Sequence, residues 1–230
     1  EASITALENN NLILQDIDYV ICATCSPDEY FSPSMASNVL YKLYKKFGEH
    51  HIAAIDINAA CTGYLYAIVQ ANDYLKDKPN KRVLVVTAEA MSSKTNPKDF
   101  SSAFIFADAA TATVVVGADY LSTATAKINN VSLSSYASDP SILNIPIDDN
   151  VVLQGKHVFT TAVRYMSKSL FQCCGQAGLE LNELDLVIPH QANQRITSAI
   201  EKRMKLGKDT LFSNIATYGN TSSCTIPIAM

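Results

Sequence analysis

The sequence predicts an α/β protein with a buried, largely parallel sheet and helices on its faces. Three observations carry that expectation. Apolar runs of strand length, such as Tyr19-Val-Ile-Cys-Ala23 and Arg82-Val-Leu-Val-Val-Thr87, alternate with segments of helical periodicity. Pro-, Ser- and Asn-containing turns separate the runs. Two distant segments also echo each other: Leu14-Gln-Asp-Ile-Asp18-Tyr-Val-Ile-Cys22 and Leu181-Asn-Glu-Leu-Asp185-Leu-Val-Ile-Pro189. Each follows a helix and opens an apolar strand with Asp, which suggests a duplicated half with a boundary near residues 118–126. An ordinary helix-to-strand junction, used twice, would look the same.

In chain order, residues 1–14 read as a helix and residues 18–23 as a buried strand. The segment 26–33 reads as a loop by its Pro and Ser content, and a helix follows to about Phe47. Residues 52–57 form an apolar run of Ile and Ala, then a helix with apolar spacings of three and four runs from near Cys61 to about Lys76. Asp77-Lys-Pro-Asn80 is a turn before the strand 82–87. Further strands are expected at 103–106, 112–116, about 126–134 and 184–189. Helices are expected over about 155–175, near 193–204 and from 221 onward. Glu1 and Met230 both fall inside apparent helices, so a longer domain is expected beyond each end.

The composition is that of a globular enzyme. The 230 residues are 48% hydrophobic and 17% charged, with a net charge of −4. That charge gives no push toward nucleic acid or an anionic membrane. No apolar run is long enough to cross a bilayer, and no signal peptide is expected from these residues. Six cysteines without a regular framework suit a reducing cytoplasm. Cys22-Ala-Thr-Cys25 has CxxC spacing, but it ends a strand run and no second pair completes a metal site.

Cys61 is the residue around which the chain is organised. It stands at a strand-to-helix turn with Ala59, Ala60 and Gly63 around it. A helix start favours thiolate, the nucleophilic form, and small neighbours let a carbonyl carbon approach. A buried cysteine serving as a small hydrophobe is the other reading. His190 stands where an apolar strand ends, directly before the polar turn Gln191-Ala-Asn193. Ligands bind at the carboxyl ends of parallel strands, and His can donate a hydrogen bond or move a proton. Gly219 allows close backbone approach, and Asn220 is either a helix cap or an amide donor in a site.

Taken together, Ala60-Cys61-Thr-Gly-Tyr, His190-Gln-Ala-Asn-Gln-Arg-Ile and Tyr218-Gly-Asn220-Thr-Ser-Ser resemble the motifs of beta-ketoacyl-acyl carrier protein synthase III, a thiolase-fold condensing enzyme family. Gln154-Gly-Lys-His-Val-Phe159 and Phe106-Ala-Asp108-Ala-Ala match in support. Asn220 matters for subclass, since elongating ketoacyl synthases are expected to carry a second His there and thiolases a second Cys. The resemblance implies a thiolase-like αβαβα fold of two duplicated halves, 1–122 with the Cys and 123–230 with the His and Asn.

The implied reaction is a decarboxylative Claisen condensation of an acyl-coenzyme A with malonyl-acyl carrier protein. Cys61 would carry the acyl group as a thioester, and its backbone N–H would form half of an oxyanion hole. His190 and Asn220 would donate to the malonyl thioester carbonyl. Asn193 and Phe159 match positions lining the pantetheine tunnel. Arg195, with Lys202, Arg203 and Lys205, would attract the acidic carrier protein, or would simply be a solvated helix face. The resemblance further implies a cytoplasmic homodimer that needs no cofactor or metal and binds neither nucleic acid nor membrane.

The departures from the family pattern also carry expectations. The family is usually longer at both ends, and Phe106-Ala-Asp-Ala-Ala replaces a Gly-Asp-Gly-Ala-Gly pattern, so that turn should be stiffer. A catalytically impaired homologue that binds acyl or carrier-protein partners, or pairs with an active subunit, is the alternative.

Overall fold

The computed structural model describes residues 1–27, 32–100 and 102–230. Part of the loop expected over 26–33 therefore lies outside the described residues. The chain forms two compact units, residues 1–90 with 109–127 and residues 91–108 with 128–230.

The first unit is built on a four-stranded sheet. Its strands are β1 (Tyr19–Ala23), β2 (Ala53–Ile57), β3 (Arg82–Glu89) and β4 (Ala109–Val116), in the order β2-β1-β3-β4. The first three are parallel, and β4 runs antiparallel to β3. The helices are α1 (Ala2–Asn9), α2 (Met35–Phe47) and α3 (Gly63–Leu75). Strand side chains alternate between faces, so Val20, Cys22, Leu84 and Val86 share one core with Leu7 of α1 and Leu40 and Leu43 of α2. The opposite face meets α3, where Tyr64 Oη lies 3.3 Å from Thr113 Oγ1 and Gln70 donates to Tyr19 Oη at 3.0 Å.

Carboxylates fix the ends of these elements. Asp18 takes Lys81 Nζ at 2.6 Å and the Arg82 N–H at 2.9 Å, which sets the start of β1 against β3. Asp56, inside β2, accepts from the backbone N–H groups of Met35 and Ala36, each at 2.7 Å. It thereby satisfies two of the amides that open α2, while Ser34 accepts from Ser37 N.

The second unit contains a two-stranded ribbon, β5 (Leu143–Asn144) with β6 (Val152–Leu153), and the helices α4 (Gly155–Ala177), α5 (Gln194–Met204), α6 (Ile215–Tyr218) and α7 (Thr225–Ala229). The long α4 packs against α5. Here the expected strands are corrected. Residues 103–106 form turns held by Asp99, whose carbonyl accepts from the Ser102 and Ala103 N–H groups. Only Phe106 bridges, to Asn220. Residues 126–134 form no strand among the described residues. In 184–189 only Val187 bridges, to Leu211, and the adjoining Pro189 has no N–H to extend a ladder. The echoing segments nevertheless share one local device. Leu14–Asp16 and Leu181–Glu183 are 3-10 turns whose third residue's carboxylate accepts from the backbone N–H three positions back.

Candidate active site

Cys61 lies in the first unit, in a 3-10 turn, Ala60–Thr62, that joins β2 to α3. The turn is tightly folded. Asn58 Oδ1 accepts from Ala60 N at 3.2 Å, and the Thr62 hydroxyl donates to Ala59 O at 2.7 Å. Ala60 has φ +46°, a left-handed conformation that costs a non-glycine residue about 1–3 kcal/mol. The strain sits one residue before the sulfur, and α3 begins two residues after it. The N-cap residue Thr62 makes no side-chain cap bond and the first turn of α3 holds no acidic residue, so the positive end of its dipole lies at the Cys61 turn.

The neighbouring strand ends complete this edge of the sheet. Thr24 N donates to Ile57 O at 3.1 Å, which ties the end of β1 to the segment leading into Cys61. Glu89, at the end of β3 and 5% exposed, gathers the 24–26 loop. Its Oε2 accepts from Cys25 N and Ser26 N at 3.1 Å each and from Ser26 Oγ at 2.6 Å. Cys22 is buried in β1 and Cys25 sits beside Glu89, so the CxxC pair is built into this edge. Among the described residues, no group of three or more His, Cys, Asp or Glu side chains could hold a metal ion.

His190 and Asn220 lie in the second unit and belong to one hydrogen-bonded chain. His190 Nδ1 is 2.6 Å from Thr225 Oγ1, and Thr225 Oγ1 is 3.1 Å from Ser222 O. Ser222 N donates to Asn220 Oδ1 at 3.0 Å. That bond commits the amide oxygen of Asn220 as acceptor and leaves its NH2 to donate elsewhere. Ser222 has φ +52°, so this turn too is held in a left-handed conformation. Burial of the imidazole pushes the His190 pKa down to about 4, and the ring is neutral at pH 7.

The backbone behind Asn220 is fixed from both sides. Asn220 N donates to Ile105 O at 2.8 Å, and Ala107 N donates to Asn220 O at 3.0 Å. Gly219, at φ +68°, is required here: a Cβ would stand 3.2 Å from Ile105 O and from Ala107 Cβ. Gln191 clamps the turn after His190, donating to Pro189 O at 2.9 Å and accepting from Asn214 N at 3.1 Å. Asn193 caps α5 by accepting from Arg195 N at 2.9 Å, which leaves its NH2 group uncommitted by the cap. Phe159 is in the second turn of α4 and 37% exposed, and Arg195 is exposed on α5.

The sequence reading passed over Thr225, Ser222, Glu89 and Asp56. Ser222 lies inside the quoted Asn220 motif and Thr225 two residues beyond its end, but no spacing rule links a hydroxyl at 225 to a ring at 190.

Comparison with known proteins places the chain among relatives. Residues 55–137 match the family described as 3-oxoacyl-[acyl-carrier-protein (ACP)] synthase III, and residues 174–230 match its C-terminal part. The chain is 32% identical to a beta-ketoacyl-[acyl-carrier-protein] synthase III of Clostridium acetobutylicum, and the match covers 100% of this chain and 72% of that protein. A relative of the same description from Nitratidesulfovibrio vulgaris is 35% identical with the same coverage. Among solved structures, 3-oxoacyl-[acyl-carrier-protein] synthase III from Aquifex aeolicus superposes with a TM-score of 0.82 at 32% identity, over 99% of this chain and 72% of that one. The corresponding Pseudomonas aeruginosa structure gives 0.85 at 27% identity, over 99% and 70%.

Proposed function

Because the chain belongs to the beta-ketoacyl-[acyl-carrier-protein] synthase III family, we propose that it makes 3-oxoacyl thioesters through Cys61, His190 and Asn220. It is a thiolase-fold acyltransferase of fatty-acid or polyketide-like synthesis. The Cys61 thiolate attacks an acyl-coenzyme A and retains the acyl group as a thioester, releasing coenzyme A. The malonyl thioester of acyl carrier protein then loses carbon dioxide. As electrons move onto its thioester carbonyl, His190 Nε2–H and the Asn220 NH2 donate to that oxygen. The resulting carbanion attacks the acyl-Cys61 carbonyl, and expulsion of the Cys61 thiolate yields the 3-oxoacyl product. Asn193 and Phe159 line the pantetheine path, and Arg195 with Lys202, Arg203 and Lys205 attracts the acidic carrier protein. The reaction needs no cofactor or metal, and the working form is a cytoplasmic homodimer divided into halves at 1–122 and 123–230.

The observation that carries this reading is the chain of bonds from His190 through Thr225 and Ser222 to Asn220. It fixes the place of a neutral imidazole and turns the Asn220 NH2 outward as a donor by committing its amide oxygen, which suits a developing carbonyl oxyanion. A residue that activated the thiol would instead need basic capacity near pH 7, which burial has removed from His190.

The test separates the half-reactions. His190→Ala and Asn220→Ala should each lower malonyl decarboxylation by about 10²–10³-fold, the usual cost of one oxyanion donor, while Cys61 still becomes acylated. Equal loss in both half-reactions would overturn the assignment of these two residues to the malonyl carbonyl.

A further inference from the structure

We infer that Gln191 is a positioning residue: its side-chain amide takes the place of the peptide N–H that Pro189 lacks, and so fixes His190 against the segment that leads to Asn220. Such a role presupposes the reaction proposed above, in which His190 and Asn220 donate to the malonyl carbonyl. Just before His190 the backbone begins a parallel ladder and cannot continue it. Val187 N donates to Thr210 O at 2.7 Å, and Phe212 N donates to Val187 O at 2.9 Å, which pairs Val187 with Leu211. The next step of such a ladder would pair Pro189 with Ser213. Pro189 N would donate to Phe212 O, and Pro189 O would accept from Asn214 N. Proline has no N–H, so the first of these bonds cannot form.

Gln191 fills both places. Its Nε2 donates to Phe212 O at 3.3 Å and to Pro189 O at 2.9 Å, and its Oε1 accepts from Asn214 N at 3.1 Å. The side chain is in effect a peptide unit lent to the ladder from beyond His190. Its neighbours decide which way the amide faces. A carbonyl oxygen can only accept and a backbone N–H can only donate, so the amide turned over would lose all three bonds. Gln191 is 0% exposed, so water does not stand in for these partners. On one side of Gln191, Ala192 N donates to His190 O at 3.0 Å and closes the turn. On the other, the Asn214 carbonyl accepts from Thr217 N and Tyr218 N, and Gly219 and Asn220 follow directly. One buried amide therefore ties the strand end that carries His190 to the start of the turn that carries Asn220.

Gln191→Met keeps the length of the side chain and removes all three bonds. It should lower malonyl decarboxylation about 10²-fold, the scale of displacing a reacting group by about 1 Å, while Cys61 is acylated at the wild-type rate. Pro189→Ala alone should change little. In the Gln191→Met background it returns an N–H that can donate to Phe212 O, so the double variant should recover part of the lost rate, a coupling that a packing role would not produce. Wild-type decarboxylation in Gln191→Met overturns the inference, as does a double variant no faster than Gln191→Met. Hydrogen exchange in the wild-type protein reads the bonds without any variant. The Gln191 NH2 should be protected like the Phe212 N–H, and exchange as fast as that of an exposed Gln overturns the inference. If the wild-type protein decarboxylates no malonyl-acyl carrier protein, the proposed reaction is refuted and the urea midpoint decides the ladder. Gln191→Met should lower that midpoint and Pro189→Ala should partly restore it, and no restoration overturns the inference.

Discussion

Burial, rather than a charged neighbour, sets the ionisation of His190. That makes its contribution to stability depend on pH in a definite sense. The folded-state pKa of about 4 lies below the ordinary value of 6.5, so between these values the unfolded chain binds a proton that the folded chain refuses. The stability associated with the neutral ring is present in full above about pH 6.5 and is lost as the pH falls toward about 4. Urea unfolding of wild type and His190→Gln across pH 4–8 should therefore diverge only in that window, with wild type losing stability faster on acidification. Parallel curves would mean the ring is not shielded as described. Cys61, His190 and Asn220, the residues proposed for catalysis, stand out in the sequence because each sits in a short motif at an element boundary. Their support does not. Thr225 is 35 residues from His190, and Glu89 is 63 from Ser26. A long-range hydrogen bond leaves no periodic trace.

At the scale of elements, the first unit is more legible in the sequence than the second. β1, β2 and β3 are apolar runs that lie in one sheet, and a run of that kind has a single good use. The runs at 103–106 and 184–189 look similar, yet each makes one bridge. Phe104 is 76% exposed, so apolar character did not mean burial there. The antiparallel sense of β4 was equally hidden, because direction is set by the connection rather than by composition. Asp56 shows how an element can depend on a residue outside it. Its carboxylate accepts from the first two N–H groups of α2, so Asp56→Ala should cost about 2 kcal/mol, in the upper range of a lost helix cap. The urea midpoint reads that loss, and Asp56→Asn should recover part of it. An unchanged midpoint for Asp56→Ala would show that solvent caps α2 equally well.

At the scale of the molecule, no helix among the described residues is long and apolar enough to cross a membrane. The match to relatives runs the length of the chain, through both units. The first unit holds Cys61 at a strained turn before α3, and the second holds His190 and Asn220 in one hydrogen-bonded chain. The most direct measurement is intact-protein mass spectrometry with peptide mapping, after incubation with an acyl-coenzyme A and again after malonyl-acyl carrier protein is added. The account predicts one acyl adduct, mapped to Cys61, that disappears as 3-oxoacyl-carrier protein forms and is never seen in Cys61→Ser. An adduct on Cys22, Cys25, Cys173, Cys174 or Cys224, or one that persists in Cys61→Ser, would contradict it.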